Sequence, residues 1–280
     1  MKNILAAVTI PLILASNPLF ADVALTFGVY TSDKPTAMVK MFRPILNALE
    51  TRLAKKLGEP VRITLQVANT YERGIDDLVS GQVDFARMGP ASYILAKERN
   101  PDLQLLAMES NRGSKIFYGI ICVHEQSPIE ELSQLKGRTF AFGNEHSTIG
   151  RYLSQHLLVK QGLHAGDLSG YQYLDRHDKV GAAVATRRFE AGALKESTFK
   201  KLKAKGMKIR ELARFPNVTK PWIASGKMGT EMVAVLRESL LGLKDPAALK
   251  SIKKDGFLPA EESDYAIIRE SMQKNDTFFQ

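Results

Sequence analysis

The stretch that decides the fold is "RTFAFGNEHSTIGRYLSQHLL", residues 138–158. Phe140 and Phe142 alternate with smaller residues and predict a short strand that breaks at Gly143. Apolar residues then recur at Ile149, Tyr152, Leu153, Leu157 and Leu158, the spacing of a helix. Ser147 and Thr148 stand at the mouth of that helix. Its first-turn N–H groups have no partner inside the helix, and the aligned peptide dipoles make that end partly positive. Hydroxyl donors there, with Gly150 letting a ligand approach the backbone, would form an oxyanion cradle. A serine that only caps its own helix gives the same local pattern, so two readings of Ser147 stay open.

Outward from this stretch, strands and helices alternate. "ALTFGVY" and "VRITLQV" read as strands, and between them lies a helix with Met38, Phe42, Ile45, Leu46, Leu49, Leu53 and Leu57 on one face. "VDFARMG" and "LQLLAM" flank a helix opened by Pro90. The rhythm restarts after "ESNRGSK" with "IFYGIICV", and from "PNVTKPWIASGKMG" onward the chain reads as mostly helical. This alternation predicts an α/β protein with helices on both faces of its sheets. Polar breaks near 110–115 and 212–221 are candidate crossings between two lobes. They give a first lobe over 22–112, a second over 113–213, and a return to the first, with the C-terminal helices, over 214–280.

Residues 1–21 read as a secretory leader, with Lys2, the apolar run "ILAAVTIPLILA" and a small residue at Ala21. The run is too short to span a bilayer, so the mature chain is expected in the periplasm, cleaved near Ala21. The net charge is +9, one less once Lys2 leaves with the leader, and its basic residues are mostly mixed with acids. The dense cluster "KESTFKKLKAKGMKIR" reads as a solvated helix face, and export makes nucleic acid the poorest partner for this charge. Cys122, the sole cysteine, lies in an apolar run and reads as a buried strand residue. The five histidines lack metal-ligand spacing, so neither metal nor cofactor is expected. Ser147 with His177 does not make a hydrolase: "EHSTIG" is not a nucleophile elbow, and no aspartate is evident to orient the histidine. Trp222 reads as a packing residue near the hinge.

"GNEHSTIG" resembles the anion-binding turn of the phosphonate/phosphite family of ABC-transporter periplasmic binding proteins. "SGQVDFARMGPASYILA", "SPIEELSQLKGRTFAFG" and "RHDKVGAAVATRRFEAGA" are similar to that family's other segments, and all occur in the family's order. The resemblance implies the two-lobed type II periplasmic-binding-protein fold, with a mixed sheet flanked by helices in each lobe and two crossovers at the hinge. It implies a monomer that closes on a small anionic ligand, a phosphonate, phosphite or related oxyanion, and is recognised by an ABC permease in the inner membrane. A ligand sensor reporting to a membrane receptor or kinase is the alternative. Carried over by position, Ser147 and Thr148 would hold the oxyanion, Tyr71 would reach it from the first lobe, and His177 would line the cleft. Glu190 falls where the family has an aspartate, and its charge would select a ligand that presents a proton or an ammonium. Two positions depart from the pattern. Ile149 replaces a second serine, and Phe117 stands in place of a ligand-contacting tyrosine, a part that Tyr118 would take if the strand is aligned one residue off.

Overall fold

Parallel strands need long crossovers, and helices in this chain supply them. The structure, a computed structural model, describes residues 22–31 and 35–280; the leader expected at 1–21 lies outside the described residues. In the first lobe, α1 (Pro35–Leu57) links β1 (Val23–Tyr30) to β2 (Val61–Ala68). After it, α2 (Tyr71–Val79) leads to β3 (Phe85–Arg87), and α3 (Pro90–Arg99) to β4 (Gln104–Ser110). The predicted face of α1 is buried from Met38 to Leu53, and only Leu57, at its end, is partly exposed. It packs in one cluster with Phe27, Phe85 and Trp222.

The chain then crosses to a second sheet. β5 (Ile116–His124) and β6 (Thr139–Phe142) are followed by a π-helical turn, Thr148–Tyr152, that runs directly into α4 (Leu153–Lys160). β7 (Gly170–Tyr173), α5 (His177–Ala185), β8 (Ala191–Lys195), α6 (Glu196–Ala204) and β9 (Ile209–Val218) complete this lobe. Cys122 is fully buried on β5, where burial pushes its thiol up to about 12. β10 (Pro221–Ala224), α7 (Thr230–Leu241), α8 (Pro246–Ser251) and β11 (Gly256–Leu258) return to the first lobe, and α9 (Ala266–Gln273) follows.

Among the described residues the strands form two mixed sheets, ordered β11-β4-β10-β3-β1-β2 and β7-β6-β8-β5-β9. In the first, β1 runs parallel to β2 and β3, whereas β10 is antiparallel to both β3 and β4. In the second, β6 runs parallel to β7 and β8, and β5 is antiparallel to β8 and β9.

Three sequence expectations need correction. β9 stays in the second sheet through Val218, so the return crossing is at residues 219 and 220 rather than 214. The tail is not simply helical, because β10 occupies the middle of the first sheet. Its four residues are all buried, so no alternation marks it as a strand. Trp222 sits on this strand and stacks on Phe27 at 4.6 Å, inside the first lobe's core. Finally, α9 packs on both α3 and the Thr148–Tyr152 turn, and the last turn, Asn275–Phe279, lies on the second lobe. There Phe278 meets the edges of Phe142 and Tyr171, and Asn275 donates to Gln155 Oε1 at 2.7 Å.

Two local features hold the cleft ends of these sheets. Gly143 donates its N–H to the Gly150 carbonyl at 2.8 Å, and the two backbones touch. A Cβ on Gly150 would lie 2.7 Å from the Gly143 Cα. Gly150 therefore serves the approach of strand to helix, not of a ligand to the backbone. In the first lobe Glu109 is fully buried and bound by Arg87 at 2.7 and 3.2 Å, with Lys254 at 3.9 Å. Burial alone would raise the Glu109 pKa, but the charges of Arg87 and Lys254 outweigh it and hold the carboxyl below its usual range.

Two stability measurements test these features. Gly150→Ala should lower the unfolding free energy by about 1–3 kcal/mol, the usual cost of overpacking a close contact. Glu109→Gln should cost about 3–5 kcal/mol, because it leaves a buried cation uncompensated. Since the folded pKa of Glu109 lies below its ordinary value, its contribution is full above that ordinary value. It is lost as pH falls through the folded value. Denaturant titrations of wild type and the Gln variant should therefore converge in acid.

Candidate functional site

Ligands of open α/β sheets gather at the carboxyl ends of parallel strands, and the described geometry follows that rule. β6 ends at Phe142 and feeds the turn that Ser147 caps. Ser147 Oγ accepts from the Gly150 N–H at 3.0 Å, so the capping role is real. A hydroxyl has one donor and two acceptor sites, so capping leaves the Ser147 O–H able to donate. The two readings of this serine are compatible. Thr148 Oγ1 likewise accepts, here from the Ala91 N–H at 2.9 Å, and keeps its own proton to give. Both residues are only 4% exposed, and the N–H groups of Thr148 and Ile149 belong to the first turn.

The facing wall belongs to the first lobe. Thr70 caps α2 and sets Tyr71 at its first position, buried and stacked on Tyr30 with ring centres 4.0 Å apart. Tyr30 is fixed in turn: its hydroxyl accepts from the Gly89 N–H at 2.6 Å and bonds the Ser92 hydroxyl at 2.9 Å. Burial raises the pKa of Tyr30, so this phenol is neutral at physiological pH. Ser92 also donates to the His146 carbonyl at 3.2 Å, a second bond across the lobes beside that of Thr148. On the same lobe as the helix mouth, His177 opens α5 and is 5% exposed.

Tyr71, Ser147, Thr148 and His177 thus line one inter-lobe cleft, together with Phe117, Ile149, Lys195, Asn217 and Lys220. Its free volume is about 20 Å³, little more than one water needs. No carboxylate is among its described lining residues.

Tyr118 and Glu190 do not join it. Successive side chains on a strand point to opposite faces, and with Phe117 facing the cleft Tyr118 faces away. Tyr118 is 37% exposed, and the Arg214 guanidinium lies over its ring at 5.3 Å. Glu190 precedes β8 and is at its amino end, whereas the cleft takes Lys195 from the carboxyl end. Its carboxylate accepts from Arg138 at 3.0 Å and from the Thr139 N–H at 3.1 Å.

Lys195, Asn217 and Lys220 were missed in the sequence. The available signal was position: Lys195 ends a strand of the parallel run, Asn217 lies near the end of β9, and Lys220 lies in the crossing that follows. Asn217 is 3% exposed, and its Oδ1 has no hydrogen-bond partner among the described residues.

Comparison with known proteins gives a consistent result. A probable ABC-transporter phosphite-binding protein of Prochlorococcus marinus is 24% identical over 92% of this chain and 92% of its own. The phosphonates-binding periplasmic protein of Escherichia coli is 26% identical over 68% of this chain and 56% of its own. A Prochlorococcus marinus protein solved with methylphosphonate superposes with a TM-score of 0.78 at 21% identity, over 90% of this chain and 98% of that one. The overall architecture is therefore the type II periplasmic-binding-protein fold. Residues 27–265 match the model of the phosphonate ABC-transporter periplasmic substrate-binding proteins, and the chain belongs to that family.

Proposed function

We propose that the protein captures a small phosphorus oxyanion, phosphite or a phosphonate, between its lobes and presents it to an ABC permease in the inner membrane. It does no bond chemistry. The observation that carries this reading is one cleft in which a helix mouth, its two hydroxyls and His177 of the second lobe face Tyr71 of the first. An oxyanion at that mouth takes the N–H groups of Thr148 and Ile149 and the hydroxyl protons of Ser147 and Thr148. Charge-assisted hydrogen bonds of this kind are short and about twice as strong as neutral ones. Tyr71 would close on the ligand from the first lobe, His177 would reach it from the same lobe as the helix mouth, and Lys195 and Lys220 would balance its charge. The amide of Asn217 offers a further polar contact. Ligand bonds made to both lobes exist only in the closed form, so binding shifts the population toward it.

Ser147→Ala should weaken methylphosphonate binding by about 1.5–3 kcal/mol, the worth of a hydrogen bond to a charged group, or roughly 10- to 150-fold in Kd. The ligand-free protein should lose at most about 1 kcal/mol of stability for the missing cap. A loss of stability with unchanged Kd would reduce Ser147 to a cap. Glu190→Gln should leave Kd within about twofold, because an exposed ion pair outside the cleft contributes little. Calorimetric titration and thermal melts of the same variants measure both quantities.

A further inference from the structure

Beside the cleft lies a second and larger space. A chamber of about 220 Å³ shares Phe117, Lys195 and Lys220 with the cleft, whose own free volume is about 20 Å³. The head-group site is nearly shut, and the room for the rest of a ligand lies next door. The chamber spans both lobes, taking Arg87 and Glu109 from the first and Lys195 and Lys201 from the second.

Its charge is one-sided. Among its described lining residues six are basic and two acidic. Glu196, one of the two acids, is engaged by Lys200 and Arg214, both outside the lining. Glu109, the other, is already bound in bidentate fashion by Arg87. Lys254 therefore shares a carboxylate that Arg87 already holds, and at 3.9 Å it is the looser partner. It is 12% exposed and lies 5.6 Å from the centre of the Phe117 ring, at the boundary between chamber and cleft. Lys201 and Lys253 add charge at the more exposed rim. A cation held as far from water as Lys254 favours an anion beside it.

From this geometry we infer that the ligand is a phosphonate or phosphate monoester whose substituent ends in a second anionic group, seated in the basic chamber. The inference rests on the proposed binding of a phosphorus oxyanion in the cleft. The head group occupies the helix mouth, a short chain passes Phe117, and the terminal anion lies between Lys254 and the rim lysines. A cationic tail is disfavoured in the same place.

Calorimetric titration with 3-phosphonopropionate, its neutral carboxamide isostere, 3-aminopropylphosphonate and methylphosphonate tests this. The carboxylate should bind about tenfold or more tightly than the carboxamide, the difference between a charge-assisted and a neutral hydrogen bond. The amine should bind least well. Lys254→Met should bring carboxylate and carboxamide to within about threefold while leaving methylphosphonate, which has no tail, unaffected. The rim double variant Lys201→Ala/Lys253→Ala, whose folding is not in question, should narrow the ratio in the same direction. Equal binding of carboxylate and carboxamide, or a preference for the amine, would overturn the inference while leaving the proposed function standing. A tenfold ratio that survives in both variants would move the second anion out of this chamber. Failure of all four compounds to bind would remove the proposed function and this inference together.

Discussion

The constraint on which this structure turns is a set of backbone N–H groups at the start of the helix from Thr148, buried where two lobes meet. A helix cannot satisfy its own first-turn donors, and buried donors are rarely left without acceptors. Ser147 takes one of them, the Gly150 N–H. Those of Thr148 and Ile149 are the donors that the proposed oxyanion would take. The surroundings keep the helix mouth in place. Gly143 and Gly150 bring the end of β6 against the helix with no side chain between them. Phe278, from the end of the chain, packs on Phe142 beneath that turn.

The two lobes are joined at two short crossings and held together across the cleft by bonds that also shape it. Thr148 receives the Ala91 N–H, and Ser92 bonds both Tyr30 and the His146 carbonyl. One side chain therefore belongs to the helix mouth and to the inter-lobe contact at once. In the proposed function that coupling would give a ligand at the mouth direct influence over closure, the property a permease would read. The last turn, on the second lobe, and α9, touching both, add a third connection.

Much of this was legible in the sequence because it rests on periodicity and punctuation. The apolar face of α1, the alternation of strand and helix, and the hydroxyl pair after a strand-ending glycine each have a local signature. What failed was non-local. β10 carries no alternation because both of its faces are buried, so a central strand read as part of a helical tail. The choice between Phe117 and Tyr118 was a register question, and a one-residue slip exchanges inside for outside. Glu190 immediately precedes a strand whose cleft end is five residues further on, at Lys195. A motif placed it near the site, but the direction of β8 carries it to the far end. Lys195 and Lys220 read as surface charge until the two sheets were brought face to face.

In the proposed function a phosphorus oxyanion is held by the first-turn amides at Thr148 and Ile149. Amide NMR during titration with methylphosphonate tests it most directly. These two amide protons should move downfield more than any others, with a common saturation curve, as each gains an anionic acceptor. Saturable binding that leaves both amides unmoved, with the largest changes elsewhere in the chain, would contradict it.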